Sequence, residues 1–531
     1  MSISPETGFY EYARQGLDRT GDKPAIWFYG KSMTYRELFD RIDNVADHLY
    51  RLGVRKGTVV TIHLPNCPQA VMAIYAVAKL GGICSMDHAL TPPARLRENM
   101  ERCASRTLIT GDHFAECGEV DFADRILYVR VGAHMGLLYQ AGYQLKNRSR
   151  RPAGAISFES LEGPCTQRAA CPPPRSLAQA CAFYLQSTGT SGTPKTVMLS
   201  HAAANAWQYD VDDYYAHVPQ TGRPMLCVLP LFHGAGLVLD MHHCVAGKMQ
   251  QVLMAKFSAA EAVRLLRKHR VEVMTGIPAM YEKLLAQPKF SGRTLPALRE
   301  CFVSGDTVPL DLKLRFDARL DPAGGRHFLY EGYGMTETVT AIVSIGQAHD
   351  RRESSGYPLP NCRAAVWQDG KILPAGEGEL LLQANTMMMG YLDQSDEDCF
   401  LADESGRWLR SGDLGRIDED GFVHCLGRLK DIIIHNGYNV LPAQVEHALR
   451  SAPGVQEACV VGIWDPDRST QKIRAYLVLK AGAERPREAE LRNCCAKYLP
   501  RYAIPGEFRF LRELPRNRMA KIDRRALEAL P

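Results

Sequence analysis

The chain has 531 residues, of which 46% are hydrophobic and 23% charged. That is an ordinary globular composition: it excludes disordered and fibrous structure and leaves room for several domains. Its 64 Lys and Arg exceed its 59 Asp and Glu by five, too little for a nucleic-acid binder of this length. The excess is local. Residues 481–531 hold twelve Lys and Arg against seven Asp and Glu, and the other 480 residues balance. Sixteen cysteines are scattered without a Cys-x-x-Cys pair, so neither zinc nor a disulfide framework is expected. Met1–Gly8 has no basic start or apolar core, and the apolar run Ala70–Ala78 stops at Lys79. These features predict a cytoplasmic protein with reduced thiols and no transmembrane segment.

In chain order, Ala25–Tyr29 and Lys31–Met33 read as a hairpin about Gly30. Thr34 and Glu37 form a capping box, and apolar residues at helical spacing from Tyr35 to Leu52 predict a helix stopped by Gly53. Strand Val59–Leu64, helix Pro68–Leu80 and strand Ile83–Met86 follow. Gln144–Pro152 is basic and polar, and Pro172–Pro174 lies in a Pro-rich stretch; both are read as surface loops. Alternation resumes with helix Ala259–His269, strand Val271–Met274, helix Tyr281–Ala286 and strand Arg299–Val303. Such alternation implies parallel sheets covered by helices. After Gly356 short strands and Gly turns predict a small β-rich unit, and a last α+β unit runs from about Asp431. His242 and His243 are adjacent and point apart on any regular element, which suits packing better than metal binding.

The most informative segment is Tyr184–His201. An apolar strand leads into Ser187, Thr188, Gly189, Thr190, Ser191, Gly192, Thr193, Pro194 and Lys195. Glycines let backbone N–H groups face an anion, hydroxyls donate further bonds and Lys195 adds a charge, which together make a phosphate cradle. The spacing from Gly189 to Thr196 also approaches a Walker loop. However, Pro194 replaces a required glycine, and Val197–Leu199 reads as a strand where such a loop would open a helix.

This segment resembles the phosphate-binding loop of the adenylate-forming superfamily, which includes the acyl- and aryl-CoA synthetases; Thr196 stands where that family usually has glycine. Further motifs carry the resemblance through the chain: Pro230–Gly236, Ser304–Pro309, Tyr330–Glu337, Ser411–Asp413, Gly427–Asp431, Gly437–Glu446 and Leu514–Arg524. The resemblance implies an α/β fold. It would have a large N-terminal domain (residues 1–429) of two doubly wound αβ subdomains plus a small β-rich subdomain, and a small mobile α+β C-terminal domain (residues 430–531) hinged near Lys430. It also implies an ATP-dependent acyl-CoA synthetase that uses Mg²⁺ and CoA on a fatty or aromatic acid. Two alternatives are an acyl-AMP ligase that loads an acyl carrier protein, and a thioester-only or non-catalytic homologue.

By the same resemblance Lys521, Thr336, Glu337 and His233 are catalytic, with Glu337 on the metal. Ser187, Thr188, Gly189, Thr190, Ser191, Gly192, Lys195, Gly305, Asp306, Tyr333, Gly334, Asp413 and Arg428 bind ATP or AMP. Gly437 and Tyr438 serve the CoA side, and His233, Gly234, Gly276, Met280 and Gly332 border the acyl pocket. Asp306 replaces a small residue and either accepts from the adenine amino group or faces solvent. The glycines near the pocket mark either room for an acyl group or close backbone packing. Asn517, Ala520 and Gln444 also depart from the family pattern. Residues Phe232–Ala235 lack the aspartate that amino-acid-activating relatives carry there, which favours an uncharged acid.

Overall fold

The computed structural model describes residues 4–114, 117–118, 120–147, 151–187, 195–214, 220–345, 350–466, 468, 470–517 and 521–530. Thr34 caps the helix Tyr35–Arg51 through its hydroxyl while Glu37 reaches back to the cap N–H, the reciprocal arrangement expected of that pair. The helix buries Leu38, Phe39, Ile42, Val45, Ala46 and Leu49 on one face. The helix Pro68–Lys79 is buried all round and runs between elements of both large sheets.

Among the described residues the strands form two large sheets. One orders Gly390–Tyr391, Lys195–Ser200, Cys181–Ser187, Ile83–Met86, Val59–Ile62, Thr107–Gly111, Arg125–Val129 and Ile156–Ser157, and is parallel from Cys181–Ser187 onward. The other is parallel from Leu329–Gly334 through Glu300–Val303, Val273–Gly276, Pro224–Cys227 and Gln250–Leu253 to Pro24–Phe28. A third, antiparallel sheet contains Cys362–Gln368, Gly376–Ala384 and Gly406–Ile417. This is the expected pair of doubly wound units with a β-rich sheet. Beyond it a separate core runs from Ile433 to Phe508, built on Val455–Asp465, Thr470–Leu479 and Glu507–Leu511.

Two expectations need correction. The segment beginning at Gln144 is not loop throughout: a helix spans Leu137–Lys146. The strand read at Val271–Met274 lies at Val273–Gly276, because Arg270 takes a left-handed φ of 49° and the turn leaving the preceding helix consumes Val271. Thr196, which stands where the family usually has glycine, lies in the strand Lys195–Ser200 opposite Gln186, where a β-branched side chain is favoured. His242 and His243 do diverge. His242 stacks on Phe9 and bonds Tyr75, and His243 bonds Gln208.

Candidate active site

In open parallel sheets ligands bind beyond the carboxyl ends of the strands, and the motif residues gather at that edge. Tyr333 ends the strand Leu329–Gly334, and its hydroxyl donates to Asp413 Oδ2 at 2.7 Å. Asp413 and Arg428 face each other across the antiparallel pair Gly406–Ile417 and Val423–Arg428, with Arg428 Nε 2.9 Å from Asp413 Oδ1. Asp413 is only 3% exposed. Burial raises its carboxyl pKa, while Arg428, Tyr333 and Lys521 pull it back. The result is a fixed acceptor beside an aromatic ring, suited to a ribose and its base.

The strands Cys181–Ser187 and Lys195–Ser200 pair antiparallel, with Ser187 opposite Lys195. The cradle therefore hangs from a hairpin, and the Walker alternative is excluded. Thr188, Gly189, Thr190, Ser191 and Gly192 lie outside the described residues. Lys195 Nζ sits 4.4 Å from the centroid of the Tyr391 ring, and the Tyr391 hydroxyl donates to Glu337 Oε1 at 2.8 Å. Thr336 and Glu337 share the short turn Thr336–Thr338. Glu337 is buried, and the Tyr391 hydroxyl engages one of its carboxylate oxygens; a carboxylate is a hard oxygen ligand of the kind Mg²⁺ takes. Tyr391 carried no sequence signal. Its partner is 54 residues away, and only the pairing of Gly390–Tyr391 with Val197 and Met198 brings it in.

Lys521 comes from beyond the Ile433–Phe508 core yet points into the same space. Burial lowers its amine pKa, Asp306 raises it, Arg428 lowers it and Asp413 raises it. His233 feels Lys521 as well: burial first, then His88 and Lys521, press its pKa down to about 3, so it is a neutral imidazole. Asn517 fastens the base of the Lys521 turn, donating its N–H to the Lys521 carbonyl at 2.8 Å and accepting the Lys521 N–H at its side chain at 3.2 Å. Ala520 lies outside the described residues. Of the two readings left open for Asp306, the solvent-facing one holds. Its carboxylate is exposed, caps the Thr307 N–H at 2.9 Å and acts electrostatically on Lys521.

The pattern of the AMP-binding enzyme family matches residues 13–392, and that of the AMP-binding enzyme C-terminal domain matches residues 444–521. The chain belongs to the AMP-binding enzyme family. It is 30% identical over 535 residues to a long-chain-fatty-acid–CoA ligase of Bacillus subtilis (strain 168), covering 96% of this chain and 92% of the relative. It is also 30% identical over 500 residues to a sulfoacetate–CoA ligase of Cupriavidus necator, covering 93% and 92%. Among solved structures it resembles the O-succinylbenzoate coenzyme A synthetase from Bacillus subtilis in complex with AMP, with a TM-score of 0.80, 26% identity and coverage of 99% and 98%. An ATP-bound RpMatB–BxBclM chimera, at 24% identity and a TM-score of 0.84, shares the fold.

In this AMP-binding enzyme a cavity of about 60 Å³ opens along the strands behind the nucleotide edge, walled by Trp207, Leu239, Phe302, Gly332 and Ala341. It runs from Ser304 toward Gln220 and Glu300. Of the five residues expected at the acyl pocket, Gly332 lines it. His233, Gly234, Gly276 and Met280 do not. A Cβ on Gly234 would lie 1.6 Å from the Val339 carbonyl, and one on Gly276 would lie 2.9 Å from the Tyr281 ring. These two glycines serve close packing, not room for an acyl group. Gly334 is likewise held against the Thr340 carbonyl, and Gly305 takes φ +87° in the turn before Asp306. Asp240 is spent on structure, accepting from the Val228 and Leu229 N–H groups and from Thr275.

Gly437 and Tyr438 are not gathered with Lys521. They cap the hairpin Ile433–His435 and Tyr438–Val440, where Tyr438 is 54% exposed and stacks on Tyr502 at 4.3 Å. Lys430 is exposed in the turn Leu429–Asp431. Gln444 is exposed, while Glu446 is locked by Arg524 at 2.8 Å. Among the described residues no cluster of three or more metal-ligating side chains occurs, and no helix is long and apolar enough to cross a membrane.

Proposed function

We propose that this AMP-binding enzyme is an AMP-forming acid–thiol ligase. It activates a carboxylic acid with an apolar body as acyl-AMP, releases pyrophosphate, and then passes the acyl group to the thiol of CoA with release of AMP. Relatives that match nearly the whole chain are CoA ligases, and the observation that carries the reading is the placement of Lys521. Its ammonium lies within electrostatic reach of His233, Asp413 and Arg428, which supports a position where a carboxylate would meet the α-phosphate.

Both reactants are anions, so the site must offer positive charge before anything else. Lys521 and Lys195 bring it, along with the N–H groups and hydroxyls of the 187–195 loop, each fixed donor being worth on the order of 10²–10³ in rate. Glu337 would hold the Mg²⁺ that arrives with ATP, which supplies further neutralisation of the phosphates. Tyr333, Asp413 and Arg428 hold the nucleoside. Thr336 donates to the α-phosphate. Neutral His233 can donate to the carboxylate without adding a base, and none is needed because the nucleophile is already ionised. The cavity beside Trp207 and Gly332 takes the acid's apolar body.

For the second step residues 430–531 turn as a domain about Lys430, withdrawing Lys521 and presenting Gly437 and Tyr438 to the CoA side. The enzyme works in the cytoplasm. Asn517 and Thr196 do not count against turnover, since one holds the Lys521 turn and the other suits its strand.

The test is pyrophosphate release over a panel of carboxylic acids, with and without CoA. An acid-dependent burst without CoA and turnover with it are expected. Product release only with an acyl carrier protein would replace CoA as acceptor, and no release with any acid would refute the ligase. Lys521→Ala is expected to lower adenylation by about 10²–10³ and to leave thioester formation from supplied acyl-AMP nearly intact. Equal loss of both steps would refute the two-pose assignment.

A further inference from the structure

The helix Leu137–Lys146 is mounted with its apolar face outward. Tyr139 and Tyr143 fasten it: Tyr143 donates to Asp112 at 2.9 Å, Tyr139 accepts from Arg264 at 2.9 Å, and the Tyr139 ring packs on Tyr29 at 5.5 Å. Helical spacing then turns Leu137, Leu138, Ala141 and Leu145 the other way. Leu137 is 84% exposed, Leu138 90% and Leu145 71%, and no residue of the helix is buried. A surface helix ordinarily turns its apolar stripe to the core, and this one does the reverse.

Charge in the segment that carries the helix is also lopsided; the acids that face it from other elements, Asp112, Glu159 and Glu261, are engaged by Tyr143, Arg130 and Arg264. From Arg125 to Phe158 the chain carries six Lys and Arg and no Asp or Glu, although acids make up 59 of its 531 residues. Lys146 ends the helix exposed, Arg151 follows exposed, and Lys31 is exposed beside Gly30, against which Gly136 packs.

We propose that this face docks the protein on an anionic lipid bilayer, with the leucines entering the headgroup region and the flanking cations meeting lipid phosphates. An apolar helical face bordered by Lys and Arg is the chemistry that binds such an interface. A symmetric second copy would bring two basic, acid-free segments together. The contact is interfacial, since no helix among the described residues can span a bilayer. The inference does not depend on the ligase reading.

The test is sedimentation of the full-length protein with phosphatidylcholine vesicles, with and without phosphatidylglycerol, at low and high salt. Binding that requires the anionic lipid and weakens with salt is expected. Leu137→Ser with Leu138→Ser is expected to weaken it about tenfold or more, and Lys146→Glu less, both with unchanged circular dichroism and unchanged pyrophosphate release on a short, water-soluble acid. Equal binding to neutral and anionic vesicles, unaltered binding by the double variant, or loss of a dimer in place of vesicle binding would each overturn the proposal.

Discussion

Replacing Tyr391 with Phe removes one hydroxyl and with it the 2.8 Å bond to Glu337, while leaving the ring against Lys195. A hydrogen bond to an ionised carboxylate is worth about 1.5–3 kcal/mol. Glu337 is 8% exposed, so water recovers little of that loss. The carboxylate keeps its place in the chain but loses the donor that fixes its rotamer, and that orientation must then come from the metal. Tyr391→Phe is therefore expected to lower kcat/KM for pyrophosphate release by roughly 10- to 100-fold. It should also raise the Mg²⁺ concentration needed for half-maximal rate. Thioester formation from supplied acyl-AMP, which makes no demand on the β- and γ-phosphates, should hardly change. The assay is a Mg²⁺ titration of pyrophosphate release beside a thiol-consumption assay on synthetic acyl-AMP. An unchanged Mg²⁺ requirement, or an equal fall in both half-reactions, would refute the assignment of Glu337 as the metal-bearing carboxylate.

Two further predictions concern specificity and pH. Trp207→Leu enlarges the cavity wall, so the preferred acid in a homologous series should lengthen, with roughly fourfold discrimination per methylene; an unmoved optimum would remove this cavity as the acyl site. Burial holds His113, His201 and His243 down to about 4, and His201 accepts the Phe9 N–H at Nδ1, which requires the neutral ring. Below the unfolded value near 6.5 the unfolded chain binds protons that the folded one does not. Stability is then complete above that pH and declines as pH falls toward 4, by about 1.4 kcal/mol per pH unit for each histidine. Urea unfolding at about pH 7.5 and about pH 5.5 checks this, and equal stability at the two would contradict it.

What could be read in the sequence was whatever local physics determines. The capping box at Thr34 and Glu37, the helical spacing to Leu52 and the strand Ile83–Met86 all appear as expected, because periodicity and cap chemistry act within a few residues. The site motifs at Tyr333, Asp413 and Arg428 converge for another reason: Tyr333 and Arg428 lie at the ends of their strands, and strand pairing sets Asp413 opposite Arg428. What stayed hidden depends on distant neighbours. Gly234 and Gly276 look alike in sequence whether they make room or permit contact, and only the Val339 carbonyl and the Tyr281 ring decide. Tyr391 looks like any strand tyrosine until Glu337 is beside it. The helix Leu137–Lys146 has an outward leucine face, and no local rule predicts which way a short helix will be mounted.

The basic C-terminal stretch shows how a charge count changes meaning once partners are assigned. Of its twelve Lys and Arg, Arg487 pairs with Glu490, Arg492 with Glu488, Arg516 with Glu457, and Arg524 with Glu446 and Asp431. These ties lie within the C-terminal unit and leave little field outside it. Lys521 is different in kind. It is partly buried, its amine pKa is lowered by lost solvation, and its compensating charges are Asp306 and Asp413; Asp306 follows the strand Glu300–Val303 of a large sheet, and Asp413 lies in the antiparallel sheet. A lysine desolvated on one unit and compensated by carboxylates of another is stable there only while the two are apposed. An incoming phosphate would compensate it more fully, so nucleotide binding and this apposition should favour each other by linkage. Arg485, Lys497, Arg501, Arg509 and Arg512, for which no ion pair is seen among the described residues, are exposed on the outer surface. There they can raise the local concentration of a polyanionic ligand but cannot take part in chemistry at the strand edge. The local excess of five therefore divides into internal pairing, one partly buried lysine and a solvated remainder, and it is on that lysine, Lys521, that the proposed first reaction step rests.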